Sequence, residues 1–152
     1  MSTLKEKPMS DQALVDAAKA SIVAYGEKDW DAVRRVLTPG IVYDEVSTNR
    51  KVQGIDDVLT IWKGWAAAFP DSKASFENAH VSGNTVILEL TWRGRHTGPF
   101  RTAAGEIPAT GKPIEFRACQ IVDVAEGKTQ HIRQYFDMAT LMGQLGVTGV
   151  GA

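Results

Sequence analysis

The chain has 152 residues, 43% of them hydrophobic and 23% charged, with a net charge of −1, which suits one globular domain able to bury about 68–70% of its unfolded surface. Its 17 basic and 18 acidic residues are scattered, leaving no electrostatic footprint for nucleic acid, and no apolar run approaches the roughly 18 residues of a membrane span. The single cysteine, Cys119, excludes an intramolecular disulfide and fits a reducing compartment; with no signal-peptide core at the polar N-terminus, the expectation is a cytoplasmic protein.

Residues 1–9 read as a loose tail. Ser10 can cap a first helix in which Leu14, Val15, Ala18, Ile22 and Tyr25 follow at helical spacing, ended by Gly26. Asp29 can cap a second, carrying Trp30, Val33, Val36 and Leu37 and stopped by Thr38-Pro39-Gly40. Ile41 to Val46 reads as a strand, and Lys51-Val52-Gln53 as a short return. Ile55, Val58, Leu59, Trp62, Trp65, Ala66 and Phe69 then form the broad apolar face of a third helix, closed by Pro70-Asp71. Period-two alternation follows: a strand from Ser75 to Val81, a turn at Ser82-Gly83-Asn84, and a long strand from Thr85 to Thr97. Gly98 to Lys112 is a loop long enough to suggest a function. A hairpin runs from Pro113 to Phe136 around Ala125-Glu126-Gly127-Lys128, and Asp137 starts a last helix, Met138 to Leu145. The domain is placed at 10–146, with a second tail at 147–152.

No βαβ alternation occurs, so the order predicts an α+β domain: a strongly bent, mostly antiparallel sheet with helices across its concave face, enclosing a pocket. The final hairpin organises that prediction. Its first arm places Ile114, Phe116, Ala118, Gln120, Val122 and Val124 on one face, and its second places Ile132, Gln134 and Phe136 together. Gln120 and Gln134 are then polar points in an apolar wall, the make-up of a small-molecule site. The opposite face, with Arg117, Cys119, Ile121, Arg133 and Tyr135, mixes apolar and charged groups and suggests a homodimer through the outer sheet. The scattered histidines give no metal pattern, and no phosphate loop is present.

Several runs carry a family likeness: Gly94-Arg95-His96-Thr97-Gly98, Ile107-Pro108-Ala109-Thr110-Gly111-Lys112, Gly127-Lys128, Tyr135-Phe136-Asp137 and Gln144-Leu145-Gly146, with Tyr25-Gly26 and Phe69-Pro70-Asp71 earlier. In order and spacing the chain resembles the SnoaL-like polyketide cyclase family, with its nuclear transport factor 2-like, cone-shaped α+β barrel. The resemblance implies an apolar aromatic small-molecule substrate and an intramolecular aldol condensation without metal or organic cofactor. Some relatives are instead cofactor-free hydroxylases. It also implies an acid/base on the last strand seven positions after Gly127, which is Gln134, and a histidine seven positions before it, which is Gln120. The family's substrate-contacting aromatic falls on Tyr25.

An amide does not titrate, so proton exchange has to be sought beside Gln134. His96, at the mouth of the long loop, has the right reference pKa. Its alternative role is to anchor that loop. Asp137 is the nearest acid to the expected site, and its alternative role is the N-cap of the last helix. Tyr25, Tyr43, Trp62, Phe116 and Gln120 are the expected substrate contacts. For Tyr43 and Asp44, strand parity leaves open which one faces inward. A binding protein that uses the same cavity without turnover is the reading from another functional class.

Overall fold

The computed structural model describes residues 8–147; of the two expected tails, residues 1–7 and 148–152 lie outside the described residues. Helix α1 (Asp11–Gly26) begins where Ser10 Oγ accepts the Ala13 N–H at 3.1 Å, and it buries Leu14, Ala18, Ser21, Ile22 and Tyr25 along one face. Helix α2 (Trp30–Arg35) is capped by Asp29, which accepts from the Ala32 N–H. It ends before the predicted stop. Leu37, Thr38, Pro39 and Gly40 already belong to strand β1 (Leu37–Glu45). The reason is burial of Leu37 and Ile41, both essentially inaccessible, which an extended backbone delivers. Pro39 falls where the register between Leu37 and Val42 is irregular, so its missing N–H costs no ladder bond.

A 3₁₀ turn (Val46–Thr48) leads to β2 (Arg50–Gln53), which returns antiparallel along β1. Helix α3 (Ile55–Ala68) buries Val58, Leu59, Ile61 and Trp62, each contributing about 1.5–3 kcal/mol by leaving water. Strands β3 (Lys73–Ser82) and β4 (Thr85–Arg95) form the first long hairpin. β4 ends two residues earlier than the alternation suggests, because the His96 N–H turns to the Lys112 carbonyl and the Thr97 N–H to that of Ala68. Inside the long loop lies a small unpredicted hairpin, β5 (Phe100–Thr102) and β6 (Gly105–Ile107). Strands β7 (Pro113–Ala125) and β8 (Lys128–Phe136) meet at Glu126 and Gly127, whose φ values of 53° and 76° make the tight turn that matches strand twist. Helix α4 (Met138–Gln144) closes the fold.

The main sheet runs β2-β1-β8-β7-β4-β3, and every pair is antiparallel except β1 with β8. Its inner face follows the predicted parity: Ile114, Phe116, Ala118, Gln120, Val122 and Val124 are all buried. Two apolar clusters result. The larger lies between the sheet and α1 and α3; the smaller joins Phe69 and Phe100 to Leu141, Met142 and Leu145 of α4. Among the described residues no helix is long and apolar enough to cross a membrane.

The loop is clamped onto the end of α3 at Gly98. A Cβ there would sit 1.9 Å from the Ala67 carbonyl oxygen. Gly98→Ala should therefore lower stability by about 1–3 kcal/mol or more, read from urea midpoints. Gly64, inside α3 with nothing within 4 Å of its would-be Cβ, is the control: Gly64→Ala should stabilise by up to about 1 kcal/mol.

Candidate functional site

Between the curled sheet, α1 and α3 lies a cavity walled by Tyr25, Trp62, Trp65, Trp92, Phe116 and Phe136. Tyr43, Gln120 and Gln134 form its polar floor, with Ser21 and Ser72 at its edges. The space between these side chains is about 570 Å³ with the open mouth counted. The rings meet edge to face: Tyr25 lies 5.4 Å from Trp92 and Tyr43 5.6 Å from Trp62, centroid to centroid. Such contacts hold aromatic walls in fixed orientations.

The floor is a row of side chains set by strand register. Gln120 pairs with Gln134 across β7 and β8, Gln134 with Glu45 across β8 and β1, and Glu45 with Arg50 across β1 and β2. Their side chains are chained by hydrogen bonds in the same order. Glu45 is 0% exposed, yet its carboxylate is fully served. Oε1 accepts from Thr48 Oγ1 and from Arg50 Nε and Nη2, the last at 2.6 Å. Oε2 accepts from Tyr43 OH at 2.7 Å and Trp65 Nε1 at 2.8 Å. The Tyr43 hydroxyl in turn accepts from Gln134 Nε2 at 2.9 Å. Gln134 Oε1 accepts from Gln120 Nε2 at 2.9 Å and from Trp92 Nε1 at 3.1 Å. The chain ends at Gln120 Oε1, a buried acceptor with no partner among the described residues. Ser21 Oγ, on α1 at the cavity edge, is a second buried polar atom without one.

On the other side the Tyr25 hydroxyl meets Ser72 Oγ at 2.9 Å. Lys28 reaches the same serine, donating to its carbonyl at 2.6 Å, with Nζ 3.4 Å from Oγ and 4.2 Å from the Tyr25 ring centroid. Burial pushes the Tyr25 phenol up to about 12 and the Lys28 ammonium down to about 8. Burial, with the Glu45 charge beside it, also raises Tyr43 well above the ordinary tyrosine range.

Six of the eight site residues expected from sequence thus share one cavity: Tyr25, Tyr43, Trp62, Phe116, Gln120 and Gln134. The two proton carriers do not. His96 is 0% exposed but packs in the second cluster, its ring 5.2 Å from Phe69 and 6.4 Å from Phe100. Its Nδ1 accepts the Thr110 N–H at 3.1 Å, so the neutral ring carries its proton on Nε2, which is buried without a partner. Desolvation lowers its pKa, and it anchors the long loop. Asp137 is held outside the cavity by its own helix. Its carboxylate accepts from the Ala139 and Thr140 N–H groups and from Thr140 Oγ1, and these bonds lower its pKa. Sequence reasoning missed Glu45, Trp92, Ser72 and Lys28. Glu45 had a usable signal: in Ile41-x-Tyr43-x-Glu45 a carboxylate shares a face with two apolar residues. Asp44 points the other way and is half exposed.

A family model described as SnoaL-like polyketide cyclase matches residues 15–145. No curated protein matches the chain. Among solved structures, a proposed SnoaL-like polyketide cyclase from Jannaschia sp. CCS1 superposes with a TM-score of 0.79 at 21% identity, covering 92% of this chain and 97% of that one. AclR from Streptomyces galilaeus, a proposed hydroxylase, gives 0.76 at 20%, covering 90% and 98%. IdmH from Streptomyces antibioticus, a proposed polyketide cyclase, gives 0.75 at 23%, covering 88% and 99%. At these identities the structural likeness establishes the fold alone.

Two measurements check the site. Glu45→Ala strands Arg50 and unties Tyr43 and Trp65, and should cost about 3–5 kcal/mol in a urea melt. The Tyr25 phenol has a folded pKa of about 12, above its ordinary value of 10.0, so its contribution is present below pH 10 and is lost as pH rises from there to about 12. That loss amounts to roughly 2–3 kcal/mol, and Tyr25→Phe should flatten the stability curve in that window.

Proposed function

The chain belongs to the SnoaL-like polyketide cyclase family, and from that premise we propose that it is an enzyme that cyclises an aromatic polyketide-like substrate through an enolate, with no organic cofactor. Gln120 Oε1 carries the reading. An acceptor buried at the wall of an aromatic cavity, with no partner among the described residues, leaves roughly 1–3 kcal/mol of desolvation unrecovered. A ligand that brings a hydroxyl to it recovers that energy and is fixed in orientation. Ser21 Oγ, unpartnered at the same cavity, adds a second polar point, so the preferred ligand is a flat apolar body with hydroxyl or carbonyl groups on its rim. A fused-ring substrate fills the floor and extends through the mouth.

Gln134 stands where the family resemblance places an acid/base, and its amide supports orientation and not proton transfer. Within the cavity it pairs with Gln120 and is anchored by Tyr43 and Trp92. Enolate charge would be stabilised by the Tyr25 hydroxyl, whose one partner among the described residues is Ser72. Hydroxylation is the second reading, favoured by this same substitution of amides for titratable groups, since reaction of an electron-rich substrate with oxygen asks for orientation more than for a base.

Two experiments test the proposal. The parent protein should bind the hydroxyanthraquinone alizarin, seen as tryptophan quenching, and Gln120→Leu should weaken binding about tenfold through loss of one hydrogen bond. An anthraquinone bearing a β-keto ester side chain should be converted to a cyclised isomer of unchanged mass. A product that has gained one oxygen points to the hydroxylase; binding with no product points to a carrier and overturns the enzymatic reading.

A further inference from the structure

The cavity lacks an obvious base, and the side chains around Tyr25 contain one. Tyr43, the other ionisable group of the lining, is committed on both sides, accepting from Gln134 and donating to Glu45. Among the described residues the Tyr25 hydroxyl has one hydrogen-bond partner, Ser72 Oγ at 2.9 Å, which leaves a free direction for a ligand. Behind Ser72 stands Lys28, whose Nζ is 3.4 Å from Ser72 Oγ and is steadied at 2.6 Å by the Ser72 carbonyl. Lys28 is held there by an uncommon backbone. Among the described residues it is one of three non-glycines with positive φ, at 55°, with its N–H bonded to the Tyr25 carbonyl at 2.9 Å, a conformation kept where the surroundings enforce it.

We propose that Lys28 is the proton reservoir of this cavity, exchanging protons with the bound substrate through Ser72 and Tyr25. The inference rests on the enolate reading above and names the base that reading lacks. As the substrate C–H breaks, its electron pair becomes the enolate and its proton passes to the Tyr25 oxygen. Tyr25 passes its own proton to Ser72, and Ser72 passes its own to the Lys28 amine. Once the new carbon–carbon bond has formed, the resulting alkoxide takes a proton from Tyr25, and the chain runs in reverse. Lys28 begins and ends as a neutral amine, Tyr25 and Ser72 regain their protons, and no further reactant is consumed. A tyrosine with a raised pKa suits this role, since it stays protonated and relays.

The charged neighbours facing Lys28 are Asp71, which favours its ammonium, and Lys73, which opposes it; burial outweighs both and brings Lys28 to about 8. A neutral fraction therefore exists near physiological pH, where an ordinary lysine has almost none.

The test uses 2-tetralone, a flat bicyclic ketone with acidic C–H groups, whose exchange of those hydrogens in heavy water is followed by NMR. Exchange catalysed by the parent protein should rise with pH and level off above about 8. Lys28→Met should slow it about 100-fold and erase the inflection while 2-tetralone still binds. Lys28→Arg, which keeps the cation and the fold but cannot titrate, should erase the inflection too, and Ser72→Ala should slow exchange with Lys28 intact. If exchange and inflection survive in Lys28→Met, the relay is wrong and the cavity's enolate chemistry stands. If the parent neither binds nor exchanges 2-tetralone, both fall.

Discussion

The carboxylate of Glu45 is the constraint on which the rest of the interior depends. A charge with no solvent exposure forfeits hydration worth several kcal/mol, and it survives only when the protein supplies enough well-placed donors. Here four residues supply them from four consecutive pieces of the chain: Tyr43 on β1, Thr48 on the 3₁₀ turn, Arg50 on β2 and Trp65 on α3. The charge therefore locks the sheet edge, the turn beside it and the long helix to one another. Apolar packing alone would let α3 settle on the sheet in several nearby ways; a buried carboxylate reached by a tryptophan N–H permits one.

The same charge sets the polarity of the cavity floor. Because the Tyr43 hydroxyl gives its only proton to Glu45, it has to accept from Gln134. That forces the Gln134 amide nitrogen toward Tyr43 and its oxygen toward Trp92 and Gln120. Gln120 must then spend its nitrogen on Gln134, which leaves its carbonyl oxygen unmatched. An ordering imposed two strands away thus decides which Gln120 atom is left unpaired among the described residues. The acceptor character of the floor is a consequence of a carboxylate that is not part of the cavity lining.

Much of this was legible in the chain itself. The alternation of β7 and β8 placed Gln120 and Gln134 on the buried face, and the helical stripe of α3 placed Trp62 there. The order of elements announced a bent sheet under helices. Other features were hidden for physical reasons. The parallel pairing of β1 with β8 joins segments about 90 residues apart, which no local pattern encodes. Pro39 and Gly40 signal an ended helix and equally suit an irregular strand. His96 and Asp137 have the right chemistry in the right neighbourhood, but a loop and a helix terminus claim their hydrogen-bonding atoms first. Lys28 lies in the turn after α1, where nothing in its neighbours foretells that its side chain folds back over Tyr25.

The parallel β1–β8 pair has a consequence for how the molecule comes into being. Early segments cannot seal the interior among themselves, since β1 meets β7 only through β8. A chain growing from the ribosome holds its first three helices, its earlier strands and an expensive carboxylate beside an open seam until the last hairpin is made. Long-range closure of this kind is slow and leaves sticky surfaces exposed while it waits. The interior of this sheet cannot close until β8 has been made, because β1 reaches β7 only through it.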